Sequence, residues 1–320
     1  MEQQWYASIS DDLKKVDRII SDALRSSRPE LQQMYDYVMA SGGKKIRPSM
    51  CILAHRACGG SDENILKVAS AFEVVHCATL VHDDINDKSE IRRGRKAVHE
   101  KYTVTKALVL GDLMFAIGFK LISSTDSRII DSMVAASTAM AESEFIQKDL
   151  EHESVVTEED YMNIIRGKTA MPIFACAKTG AYLAGAGEDA VNAVSEFALN
   201  VGVAFQIVDD VLDVTGDQRS TGKKAGTDIS EGKPTLPVIY AMSDPVHGRR
   251  IKEIFTKDDP SDEDVETALK LIRSTDSIER CMSKAKEIAE GAIPLLSCLK
   301  DSIHKDSLIG LARFIVSRDR

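Results

Sequence analysis

AFEVVHCATLVHDDINDKSEIRR, residues Ala71 to Arg93, is apolar on nearly every side over its first half and closes with three carboxylates and two arginines. At the helical spacing of 3.6 residues per turn, Asp83 and Asp87 lie one above the other with Asp84 beside them. Acids crowded in this way repel one another. The cluster is tolerable if solvated and useful if a cation neutralises it. The preceding run, Ile65 to Val81, is broken by Lys67, Glu73 and His76, which predicts a buried core helix rather than a membrane span.

The same pattern recurs in FQIVDDVLD. Asp209, Asp210 and Asp213 repeat the i, i+1, i+4 spacing at the end of a second apolar stretch, Ala190 to Leu212. One such cluster reads most simply as a solvated helix end. Two, each closing a long apolar helix, call for cations. Hard carboxylate oxygens suit magnesium, which keeps waters and shares its shell with phosphate oxygens.

Helical periodicity dominates the rest, and period-two alternation is nearly absent. Helices are expected over residues 102–123, 126–151, 158–166 and 172–183, with Ser61 or Asp62 capping the central one. Residues 88–100 read as basic and irregular. Residues 215–233, rich in glycine, read as a long functional loop. Without a linker, repeat or low-complexity tract, residues 1–320 read as one all-α domain. Net charge of −9 argues against a general polyanion binder, and 43% hydrophobic residues allow a sizeable core. Six cysteines without a CxxC pair read as free thiols in a reducing cytosol. The N-terminus lacks a secretory pattern, so the expected location is cytoplasmic. His82, His99 and His152 read as structural, and Phe115, Phe119 and Phe145 as core.

Basic residues bracket both acid motifs. GGKKIRP carries Lys44, Lys45 and Arg47; Arg92 and Arg93 follow the first motif; Lys168 lies in RGKTA; and Lys223, Lys224 and Lys233 lie in the glycine-rich segment. Each alone is an ordinary surface charge. Together they are the arginine forks and lysine point charges that bind phosphate. Acids for Mg²⁺ and bases for phosphate imply a diphosphate substrate, and the apolar helices above the acids imply a hydrocarbon tail.

At this point GGKKIRP, HDDIND with RRG, GKTA, FQIVDD with VLD, and GKKAGTDISEGKPTLP together resemble the trans-isoprenyl diphosphate synthases, the polyprenyl synthetases. These pieces run from Gly42 to Pro237, and the ending FIVSRDR also looks familial. The resemblance implies an all-α bundle of long helices around a central cavity, in a homodimer. It implies about three Mg²⁺ ions, with Mn²⁺ as a substitute, held directly or through water by Asp83, Asp84, Asp87, Asp209, Asp210 and Asp213. Arg92, Lys168, Lys223 or Lys224, and Lys233 would bind an allylic diphosphate. Lys44, Arg47, His76 and Arg93 would bind isopentenyl diphosphate, and Thr169 and Gln206 would face the reacting carbons. The implied reaction is head-to-tail: ionisation, condensation and proton loss. Lys45, where the family often has arginine, keeps the charge. Lys96-Ala97 after RRG departs from the usual Pro-Thr.

The family sets product length by how soon the growing tail meets a bulky side chain below the first acid motif. Here Thr79 and Ala78 are small and Val75 is modest, so a product longer than farnesyl, and longer than geranylgeranyl, is expected. A metal phosphohydrolase built on His76, His82 and Asp83 leaves the second acid motif and GGKKIRP idle. A terpene cyclase or head-to-head synthase does not need GGKKIRP. A non-catalytic subunit of a two-component synthase conflicts with two complete acid motifs.

Overall fold

The computed structural model describes residues 5–216 and 225–318. Almost all of the regular structure is helical. Contacts divide the chain into two compact units, each assembled from three separate segments.

The first unit comprises Met1–Ala135, Pro172–Ala198 and Leu295–Leu311. Its axis is the helix Asn64–Asn86, which packs against Ser10–Ala23, Ile46–Ala57 and Val104–Ile122. An α-helix apolar all round must be covered all round, and Val68, Ala69, Ala71, Val74 and Ala78 are fully buried. This helix and Glu188–Thr215 are long and apolar enough to cross a membrane, but their apolar windows are mostly buried in protein, as expected of core helices. The helix starts where Asp62 accepts a hydrogen bond from the Asn64 N–H at 2.8 Å. The residue at the N-cap itself is Glu63, without a side-chain cap, so neither Ser61 nor Asp62 takes the capping position expected of it.

Two glycines let Val104–Ile122 approach the axis. A Cβ at Gly111 would fall 2.1 Å from the His82 ring, and one at Gly118 would fall 2.5 Å from Val75. His82 is thereby fixed, with its Nε2 3.1 Å from the Leu108 carbonyl, in the structural role expected of it. Elsewhere in this unit residues 172–183 meet Ile46–Ala57 at Gly180. The Gly180 carbonyl accepts from His55 Nδ1 at 3.2 Å, and a Cβ on Gly180 would lie 2.3 Å from the Cys51 carbonyl.

Residues 88–100, expected to be irregular, are ordered. Ile91–Arg92 and Arg95–Lys96 pair antiparallel, and Val98–Lys101 is a helical turn. The two residues between the strands, Arg93 and Gly94, both have positive φ (51° and 74°). This is the type I′ geometry that matches strand twist. Strands of two residues are too short to leave a period-two pattern, which is why they are hidden in the sequence.

The second unit comprises Ala136–Met171, Leu199–Pro294 and Ala312–Arg320. Its core gathers Val214, Ile229, Val238, Ile251, Phe255 and Leu269 beneath Leu236–Met242, Gly248–Phe255 and Asp262–Arg273. Capping boxes at Thr157/Asp160 and Ser261/Asp264 start two of its helices. Phe145, expected in the core, is 77% exposed. Ser143 and Gln147, four residues apart, take the inward face of the helix Ser127–Asp149, so Phe145 between them points outward. Between Glu158–Ile165 and Met171 the chain makes one wide π turn, Arg166–Ala170, closed by the Met171 N–H on the Arg166 carbonyl. Wide turns of this kind recur at functional sites.

The close contact at Gly180 predicts that Gly180→Ala, which sets a methyl against backbone, lowers unfolding free energy by about 1–3 kcal/mol. Urea denaturation measures it, and an unchanged midpoint would contradict the packing described.

Candidate active site

In the first unit the acid motif ends the axial helix. Asp84 is 2% exposed, and Arg92 binds it from the hairpin through Nε at 2.7 Å and a terminal nitrogen at 2.5 Å, both on Oδ1. Burial disfavours the Arg92 charge, but Asp84, Asp83 and Asp87 together raise its pKa. Asp83 and Asp87 are less buried, and the Asp87 N–H closes the helix on the Asp83 carbonyl at 2.8 Å. The two carboxylates flanking Asp84 are thus the more accessible ones.

A basic group gathers one to two turns back along the same helix. The Arg93 guanidinium lies over Gly43, whose missing Cβ would otherwise meet it at 3.0 Å. Arg93 holds this position at the cost of a left-handed backbone, as does Lys45 (φ 48°) at the start of Ile46–Ala57. Lys45 pairs with Asp17, and Lys44 is exposed. His76 is held neutral: burial drives its pKa well below the ordinary 6.5, reinforced by Arg47, Arg93 and Arg92. It can offer a hydrogen bond but no third positive charge. Burial also raises the pKa of Glu73, one turn earlier, while Arg47, Lys45 and Arg93 pull it down. Nothing in the sequence singles out Glu73. Ala78 is fully buried and Thr79 nearly so, its hydroxyl donating to the His76 carbonyl at 2.8 Å; Val75 closes against Gly118.

In the second unit a cleft of about 120 Å³ is lined by Lys168, Thr169, Gln206, Asp210, Asp228 and Lys233, among others. Gly167 lets the wide turn run against the helix Ser127–Asp149, since a Cβ there would fall 1.9 Å from the Ser143 hydroxyl. Lys168 then reaches Glu144 at 2.5 Å and Gln147 at 3.1 Å. Lys233 pairs with Glu231 at 2.7 Å. Lys223 and Lys224 lie outside the described residues.

The three acids of the second motif have different surroundings. Asp209 is half exposed and pairs with Arg318 at 3.0 Å; Arg318 also donates to the Phe205 carbonyl at 2.9 Å and lies over the Phe205 ring. Asp210 is buried and accepts from Tyr161 at 2.6 Å and from Gln206 at 2.7 Å. Burial, then the like charge of Asp228, push its pKa well above the usual range, against the pull of those two hydrogen bonds. Asp213 accepts from the Asp228 N–H at 3.2 Å. Tyr161, Glu144, Gln147, Asp228 and Arg318 are not identifiable as site residues from sequence patterns. Only Arg318, in FIVSRDR, and Asp228, in GTDISEGK, lie within motifs that stand out there.

Among the described residues no three acids, histidines or cysteines converge as a closed metal cage. The fit to a cation comes from the donor set instead. Asp209, Asp210, Asp213 and Asp228 offer hard carboxylate oxygens, and burial, then the like charges of Asp228 and Asp209, raise the Asp210 pKa. Such an open acidic platform suits Mg²⁺, which shares its shell with water and phosphate.

The state of His76 sets a pH dependence. Its folded pKa lies below the unfolded value, so the unfolded chain takes up more protons as pH falls through 6.5. The contribution is fully present above that value and is lost below it. Denaturant midpoints followed from about pH 8 to about pH 5 should decline below 6.5, and His76→Gln should flatten part of that decline. An identical profile in the variant would contradict a neutral His76.

Residues 28–272 match the family model for polyprenyl synthetase. The chain is 33% identical over 323 residues to the geranylgeranyl diphosphate synthase of Methanosarcina mazei, covering 98% of each chain. It is 32% identical to the octaprenyl diphosphate synthase of Escherichia coli, covering 97% of each. A crystal structure of the polyprenyl synthase from Caulobacter crescentus, complexed with calcium and isoprenyl diphosphate, superposes with a TM-score of 0.95 at 31% identity, covering 99% of this chain and 97% of that one. With its acidic helix ends, its clustered basic side chains and its all-α fold, the chain belongs to the polyprenyl synthetase family and is a prenyltransferase.

Proposed function

We propose that the protein is a Mg²⁺-dependent head-to-tail prenyltransferase. It condenses isopentenyl diphosphate with an allylic diphosphate to give a trans-polyprenyl diphosphate longer than geranylgeranyl. The observation that carries this reading is the pair of acid motifs, each ending an apolar helix and each accompanied by cationic side chains. Asp83, Asp87 and Asp209, the more accessible carboxylates, would hold the metal; Asp84, Asp210 and Asp213 support them. Bound Mg²⁺ supplies charge neutralisation at the leaving diphosphate.

The chain's own residues do the rest. Lys168 and Lys233, with Lys223 or Lys224, bind the allylic diphosphate and stabilise the charge that builds on it as the C–O bond ionises. Arg92 joins them when it shares its guanidinium between Asp84 and phosphate. Arg47, Arg93 and Lys44 hold isopentenyl diphosphate, and neutral His76 donates to it. Its double bond then attacks the allylic cation at short range. Thr169 and Gln206 present oxygen dipoles to that cation, and the departed diphosphate takes the proton. No covalent enzyme intermediate is needed.

Each compact unit is built from three discontinuous segments, which supports a single domain rather than two excisable ones. Val104, Leu108, Val109 and Leu113 expose an apolar stripe on one helix, which supports a homodimer. All six cysteines are free thiols, which supports a reducing, cytoplasmic location.

Incubation with Mg²⁺, isopentenyl diphosphate and dimethylallyl, geranyl, farnesyl or geranylgeranyl diphosphate should give products longer than the primer. Asp83→Ala and Asp209→Ala should each lower kcat by at least about a thousandfold with the fold intact, as loss of electrostatic stabilisation requires. No elongation of any primer by the native protein would refute the reading. Ala78→Phe should shorten the product, since a ring would fill space now bounded by a methyl. An unchanged product length would show that this face does not limit the tail.

A further inference from the structure

Within the second unit four side chains form one continuous hydrogen-bonded series with a fixed polarity. Tyr161 Oη donates to Asp210 Oδ2 at 2.6 Å, and Gln206 Nε2 donates to Asp210 Oδ1 at 2.7 Å. Thr169 Oγ1 donates to Gln206 Oε1 at 2.7 Å. The Gln206 amide turns its NH₂ toward Asp210, which accepts. Its oxygen then faces Thr169, and that contact uses the single Thr169 proton. What Thr169 has left is lone pairs, and both Thr169 and Gln206 line the cleft.

We propose that Tyr161 is a positioning residue whose hydroxyl fixes Asp210 as the anchor of the Gln206–Thr169 pair, so that Asp210 orients the oxygens facing the cleft instead of ligating metal. Three features support this. Both Asp210 oxygens already accept from protein donors, while Asp209 beside it is half exposed. Tyr161 is 2% exposed, and a buried phenol needs a partner; Asp210 is that partner. The series runs from buried Asp210 outward, and the members of a hydrogen-bonded chain polarise one another. The cleft end thus presents the Thr169 lone pairs, which favours positive charge on a carbon held there.

The role in stabilising that carbon rests on the prenyltransferase reading above. The assignment of Asp210 as anchor does not. The experiment therefore has two arms, both on the full chain. The first measures Mn²⁺ binding in the presence of inorganic pyrophosphate by calorimetry and electron paramagnetic resonance. Tyr161→Phe should bind within about twofold of the native protein and Asp210→Asn within about fivefold, whereas Asp209→Ala should lose at least about tenfold. The second measures steady-state kinetics. Tyr161→Phe should lower kcat roughly tenfold, the scale of one hydrogen bond to a charged group, with KM for both substrates within about twofold. A purely structural role would instead shift the melting temperature and leave that kcat-to-KM split absent.

Wild-type kcat in Tyr161→Phe would overturn the proposal. So would a loss of Mn²⁺ binding of about tenfold or more in either Tyr161→Phe or Asp210→Asn, because Asp210 would then be a metal ligand. If Tyr161→Phe does not fold, Asp210→Asn decides, since its new NH₂ must face one of two donors and should lower kcat without releasing the cation. If the native protein elongates no allylic diphosphate, the functional reading fails, and the binding arm still determines what Asp210 does.

Discussion

The structure is governed by like-charge crowding at the ends of two apolar helices. Neither helix end could be stable as a bare cluster of carboxylates, because the apolar walls behind them lower the local dielectric and strengthen repulsion. The chain resolves this in two ways at once. It neutralises some acids internally, Asp84 through Arg92 and Asp209 through Arg318. It also satisfies a buried one with neutral donors, Asp210 through Tyr161 and Gln206. The remaining acidity is what gives a cation a reason to bind.

The middle acid of each motif is the buried one. Asp84 is held by a guanidinium from a hairpin and Asp210 by a phenol from a helix, so chemically different partners occupy corresponding positions. The similarity of the two motifs in sequence therefore lies in the carboxylates and not in what holds them. An arginine beside Asp84 adds a charge that can be shared with phosphate. A tyrosine beside Asp210 adds no charge to the cleft lined by Thr169 and Gln206.

Most of the fold is legible in the sequence because long apolar helices leave a strong 3.6-residue signal, and the acid motifs are legible because two copies of one spacing are hard to produce by chance. Three kinds of feature are not. The Arg92–Arg95 hairpin is too short to show alternation. Phe145 reads as core by its chemistry, while its direction is decided by Ser143 and Gln147 on the opposite face. The partners of the acids depend on tertiary placement: Tyr161 reads as one more apolar position of an amphipathic helix until its hydroxyl is seen against Asp210. The same applies to Glu73, which interrupts an apolar run without indicating that Arg47 and Arg93 lie near it.

The wide turn at Arg166–Ala170 carries one residue more than an α-helical turn would. Each residue advances the side-chain direction by about 100°, so this surplus acts as a phase shift. Residues on the N-terminal side of the turn, Tyr161 among them, need not share with those on its C-terminal side the face that an unbroken helix would impose. A one-residue deletion here would restore regular helix geometry and rotate every later side chain by that angle. The irregularity thus works as a register setting that determines where Lys168 and Thr169 point, and a backbone with more ideal hydrogen bonds would aim them elsewhere.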